Sequence, residues 1–67
     1  MGYKVLVIPA ASATGWLAKG RKAAFPTYYP HPGPACAAAA GYVRRHPDDV
    51  CQVVTWRDEA LVKEVRA

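Results

Sequence analysis

His31, Cys36, His46 and Cys51 repeat a His-x4-Cys spacing twice, and two imidazoles with two thiolates form a ligand set that zinc accepts in tetrahedral geometry. The spacing differs from that of a zinc finger, whose ligands pair closely across a turn. Cys36 and Cys51 also fall on the inward faces expected of a helix and a strand. Free cysteine is among the most buried residue types, so core packing, with no metal or other cofactor, is the first reading of the set. Acyl-transfer chemistry has less to work with. Ser12, Thr14 and Thr27 have no evident base and orienting group, and the first 47 residues contain no Asp or Glu. Asp48 and Asp49 are adjacent carboxylates, but their place just after Pro47 makes them turn residues. The segment Ala10-Ala11-Ser12-Ala13-Thr14-Gly15 lacks the Gly-Lys-Ser/Thr ending of a phosphate-binding loop. These residues point away from an enzyme.

What the chain does carry is charge and aromatic surface. Lys4, Lys19, Arg21, Lys22, Arg44 and Arg45 give the first 47 residues a charge of +6. All five acids (Asp48, Asp49, Asp58, Glu59, Glu64) lie in the last 20, beside Arg57, Lys63 and Arg66, for −2 there and a net +4. Such asymmetry favours an anionic partner at one end. Phe25, Tyr28 and Tyr29 stand between the cluster Lys19, Arg21, Lys22 and the cluster Arg44, Arg45, His46. Cations interleaved with rings suit single-stranded nucleic acid, with charge for phosphate and flat faces for base stacking. The same mixture makes a protein–protein hot spot, where Tyr, Trp and Arg are enriched. The first expectation is a protein partner met through Lys19, Arg21, Lys22, Phe25, Tyr28, Tyr29, His31, Arg44 and Arg45; the second is nucleic-acid binding by the same face. A small basic chain without catalytic residues suits a phage-encoded or mobile-element inhibitor of the anti-CRISPR kind. The plain alternative is that Tyr42 and one Trp are core, that the Tyr28-Tyr29 segment is a lid over that core, and that the cations keep the surface hydrated.

At 67 residues the chain has room for one domain, residues 1–67. A domain of this size buries roughly 60% of the surface its unfolded chain exposes, so a homodimer or a permanent partner would add to a small core. The 52% hydrophobic content argues against disorder, although much of it is alanine. The longest apolar stretch, Pro34 to Val43, is about half the ~20 residues of a membrane-spanning helix, so no membrane partner is expected. Lys4, Val5–Ile8 and Ala11-Ser12-Ala13 imitate a signal peptide only faintly, because Pro9 breaks the apolar run. A cytoplasmic location is expected, with both cysteines reduced.

The positioning elements follow from pattern. Tyr3–Ile8 is β-branched and reads as a strand, with Ala10–Gly15 as a hairpin loop and Trp16–Lys19 as the returning strand. Phe25 to Pro34 holds four of the six prolines and reads as a stiff loop of polyproline character. Ala35–His46 is a helix built on Ala37–Ala40 and ended by Pro47, with Ala35, Cys36, Ala39, Tyr42 and Val43 as its apolar face. Val50–Trp56 is the strongest strand. Leu61–Val65 reads as a last strand, the alternative being a helix capped by Asp58. The sum is an α+β fold, a small four-stranded antiparallel sheet with one helix packed on a face (ββαββ).

Several residues in this order resemble a family of small bacterial ββαββ proteins of unknown function. They are Val7-Ile8-Pro9, Gly15-Trp16 with Lys19, Phe25 with Thr27, the helix end Ala39, Tyr42, Val43, Arg44, Arg45 and His46, and Val53-Val54 with Arg57-Asp58. The chain departs from that pattern in its Tyr-Pro-His-Pro-Gly-Pro segment and in Glu59, where the family has a glycine after the turn aspartate. The resemblance implies a fold and supplies no mechanism.

Overall fold

The computed structural model describes the backbone of residues 2–8 and 22–67, and the side chains of 2–8 and 27–67. Its elements are β1 (Tyr3–Ile8), β2 (Lys22–Tyr29), α1 (Pro32–Arg45), β3 (Val50–Thr55) and β4 (Leu61–Val65). The strands form one sheet in the order β2-β1-β3-β4, every neighbouring pair antiparallel. This is the expected ββαββ α+β fold.

The two central strands are also the most β-branched. Val5 pairs with Val53 and Val7 with Cys51, and these four side chains meet Ala35, Ala39 and Val43 of α1 in one buried cluster. Alanine at the first two of those helix positions leaves little side chain between helix and sheet, so the backbone of α1 lies close. The opposite sheet face is buried as well, at Leu6, Ile8, Val50, Gln52 and Val54. Both central strands therefore read as nearly continuous apolar runs instead of alternating ones. Gln52 interrupts that face, and its Oε1 atom has no hydrogen-bond partner among the described residues.

α1 begins earlier than the alanine run suggests. Pro32 and Pro34 occupy its first turn, where the missing N–H groups would have no intrahelical acceptor and φ is already set. His46 closes it by donating its N–H to the Tyr42 carbonyl at 2.9 Å, and Pro47 prevents another turn. The expected stiff loop over Phe25–Pro34 is accordingly a correction: β2 runs through Tyr29, and only Pro30 and His31 join it to the helix. β2 is an edge strand, where Pro26 removes only an N–H that need not join the ladder. The pairing register against β1 shifts in the interval that holds Pro26. The expected returning strand Trp16–Lys19 lies outside the described residues; among those described, Lys22–Tyr29 is the strand that pairs with β1.

Residues 61–65 are a strand and not a capped helix. A tight connection holds β4 to β3: Thr55 donates its N–H to the Ala60 carbonyl at 2.9 Å, and the Ala60 N–H is received by Thr55 Oγ1 at 3.0 Å. Glu59 donates to the Thr55 carbonyl at 3.0 Å and takes φ 53°, the one positive φ at a non-glycine residue among those described. No helix among the described residues is long and apolar enough to cross a membrane.

Candidate functional site

Alternation along the strands decides what reaches the surface away from the helix. Tyr3 and Tyr29 pack against the helix-side cluster, so their neighbours Lys4 and Tyr28 project to the other face. Thr55 pairs with Tyr3, which puts the following residue, Trp56, on that same other face. Trp56 donates its N–H to the Gly2 carbonyl at 2.8 Å, so Gly2 lies between the strands that bring in Tyr28 and Trp56. Having no side chain, Gly2 leaves room for the Tyr28 ring. A Cβ there would stand 1.9 Å from Tyr28 Cε1. The rings of Tyr28 and Trp56 meet above it at 5.3 Å between centroids and 77° between planes, the edge-to-face arrangement their quadrupoles favour.

Charge is arranged around this pair. Lys4 Nζ lies 5.4 Å from the centre of the Trp56 ring and 2.8 Å from Glu59 Oε2. The ring face and the carboxylate together hold the ammonium, and the carboxylate cancels its charge. Tyr28 and Trp56 nonetheless remain 49% and 42% exposed. With Gly2, Arg57 and Asp58 they line a hollow of about 470 Å³. Leu61, opposite Val54 on β4, adds an exposed apolar side chain to the same face. Among the described residues the site offers rings, a guanidinium and a carboxylate.

The other residues singled out by sequence are distributed elsewhere. Tyr29 packs against the helix-side core. Lys22 and Phe25 belong to β2, while Lys19 and Arg21 lie outside the described residues. His31 is exposed at the N-cap of α1, and Arg44 and Arg45 are exposed in its last turn. Arg44 shares a second hollow, of about 370 Å³, with Ala40, Val43, Arg66 and Ala67, and Arg66 is paired with the Glu64 carboxylate. Tyr28 thus stands on the far face, while the arginine pair belongs to the helix.

The zinc set does not assemble. His31 and His46 flank a helix of 14 residues, about 20 Å long at 1.5 Å per residue. Among the described residues no three His, Cys, Asp or Glu side chains come together. Cys51 is fully buried, and burial first, with the Asp49 charge adding to it, pushes its thiol up to about 11. It is therefore a protonated core residue near neutral pH. Tyr42 packs on the core, donates its hydroxyl to Asp49 Oδ2 at 3.0 Å and lies 4.5 Å from the His46 ring. Burial, then that hydrogen bond, raises its phenol above the ordinary value.

Gly2, Lys4, Trp56, Arg57 and Asp58 were not among the candidates drawn from sequence. One local signal bears on the last three: a tryptophan at a strand end followed directly by Arg57-Asp58. Gly2 and Lys4 gain meaning only through the pairing of β1 with β2 and β3. No family model matches the chain, and no curated protein or solved structure matches it.

Proposed function

We propose that this is a non-catalytic binding protein that docks a protein partner on the Gly2–Tyr28–Trp56 platform, with Leu61 extending the apolar surface and Arg57 and Asp58 at the rim. The observation that carries the reading is the pair of half-exposed rings locked edge to face beside an open hollow. Large aromatic side chains bury 150–250 Å² each, so covering the exposed half of both is worth roughly 5 kcal/mol at ~25 cal/mol per Å². Such anchors, already fixed by neighbours, lose little further entropy on binding. Covering a partner's surface is also how a phage-encoded or mobile-element inhibitor of the anti-CRISPR kind would act in the cytoplasm. The ββαββ order is compatible with the family resemblance, which carries no mechanism of its own.

Nucleic-acid binding is the second reading. Its support lies at the helix end, where Arg44 and Arg45 are exposed and Arg44 shares a hollow with Arg66. The ring pair that would stack bases is on the opposite sheet face, which favours the protein reading. Affinity capture with quantitative mass spectrometry separates the two. Partners should be lost with Tyr28→Ala or Trp56→Ala and kept with Arg44→Glu/Arg45→Glu. Partners that ignore the ring variants but vanish on nuclease treatment would overturn the protein reading.

A further inference from the structure

We infer that the partner seated on this platform is a second copy of the same chain. The inference rests on the reading of the platform as a protein-docking surface. The sign of the patch carries it further. The chain is strongly basic at +4, yet the described side chains of the patch balance: Glu59 faces Lys4, and Asp58 stands beside Arg57. A balanced patch on a basic protein does not select nucleic acid or an acidic protein. It does remove the repulsion that would otherwise keep two basic copies apart.

Arg57 and Asp58 give the patch self-complementarity. They are consecutive, exposed and line the same hollow, and neither has an ion-pair partner among the described residues. In a two-fold contact residue i of one copy meets residue j of the other, and j meets i. A charge pair of opposite sign at the rim then supplies two bridges, Arg57 to the second copy's Asp58 and the reverse. Among the described residues the exposed large hydrophobic side chains are Tyr28, Trp56, Leu61 and Val62, which belong to the strands β2 and β4 and to the turn between β3 and β4. Apolar anchors inside a charged rim are the composition of a specific interface. The small core supplies a reason for it, since a single 67-residue chain buries only roughly 60% of its unfolded surface and a second copy adds to that burial.

The test is sedimentation velocity on the full chain and on charge-reversed variants, whose exposed turn positions leave the fold intact. The wild type should show a concentration-dependent dimer. Arg57→Glu alone and Asp58→Arg alone each turn both bridges into like-charge contacts and should weaken it by roughly 3–30-fold, two rim pairs at a few tenths to 1 kcal/mol each. An equimolar mixture of the two variants should recover association as a heterodimer, because glutamate at position 57 then meets arginine at position 58, and Asp58 meets Arg57. A wild type that stays monomeric at millimolar concentration overturns the inference, as does a dimer indifferent to both reversals or a mixture that fails to associate. If the wild type is monomeric while Trp56→Ala still abolishes capture of a different protein, the docking surface stands and the second copy falls. Loss of both results removes both.

Discussion

Glu59 occupies a backbone conformation in which an L-residue costs about 1–2 kcal/mol, and glycine would relieve it. Glycine gives back about 0.5–1 kcal/mol through its greater freedom in the unfolded chain. The net gain for the backbone is therefore about 0.5–1 kcal/mol. Against it stands the Lys4–Glu59 bridge at 2.8 Å, whose side chains are 21% and 36% exposed and which solvent holds to about 0.2–1 kcal/mol. Glu59→Gly alone nearly cancels the two terms, so the informative comparison is with Glu59→Gln. Both variants lose the charge, but only Glu59→Gly loses the strain. We expect Glu59→Gly to be more stable than Glu59→Gln by about 0.5–1 kcal/mol, or roughly 2–8 °C in Tm for a chain of this size. Urea titration at unchanged m-value measures it. Equal midpoints would refute the reasoning, showing that the turn does not hold position 59 at positive φ. A confirmed difference would mean that the chain keeps a strained residue whose carboxylate pairs with Lys4 beside the Trp56 ring.

Further outcomes follow from the same geometry. Gly2→Ala must displace the Tyr28 ring, so near-ultraviolet circular dichroism from the ring pair should collapse while the far-ultraviolet spectrum holds; an unchanged near-ultraviolet signal would show that the rings do not meet over Gly2. Gln52→Met should leave stability unchanged or raise it by about 1 kcal/mol, because a buried unpaired carbonyl is removed; a clear loss in urea midpoint would mean that the amide is bonded in solution. Cys51 titrates near 11 in the folded state against 9.0 unfolded, so the unfolded chain releases the proton first and stability falls as pH rises through that window. At pH 10.5 the loss is about 2 kcal/mol, with Tyr42 adding in the same direction, and Cys51→Val should flatten much of it; a midpoint equal at pH 8 and 10.5 contradicts the burial. Arg44→Glu/Arg45→Glu should leave the dimer constant unchanged while abolishing any low-salt retention on single-stranded DNA; dimer loss in this variant would move the interface to the helix side.

Much of the fold was legible in the chain. Val5–Ile8 and Val50–Val54 declare strands by β-branching, Ala37–Ala40 declares a helix, and Pro47 fixes its end. The prolines between Phe25 and Pro34 were harder, since the same residue types make a stiff loop, an edge strand or a first helical turn. Local sequence does not say which N–H groups the ladder needs; that depends on β2 lying at a sheet edge. The site was less legible still. Tyr28 and Tyr29 look equivalent in sequence, yet one is half-exposed on the face away from the helix and the other packs on the helix-side core, because a strand sends neighbours to opposite sides.

The sequence alone determined the charge asymmetry, the end of the helix and three of the four strands, because propensity, proline geometry and charge act within a few residues of chain. It also determined that the aromatics and cations were the chemistry worth following. The tertiary structure decided which of them act together. Gly2, Lys4, Tyr28, Trp56 and Glu59 come from separate parts of the chain and become neighbours only through antiparallel pairing and the positive-φ turn at Glu59. A shift of one residue in that pairing would turn Trp56 to the helix side, so the platform is a property of the sheet's register and not of any local motif.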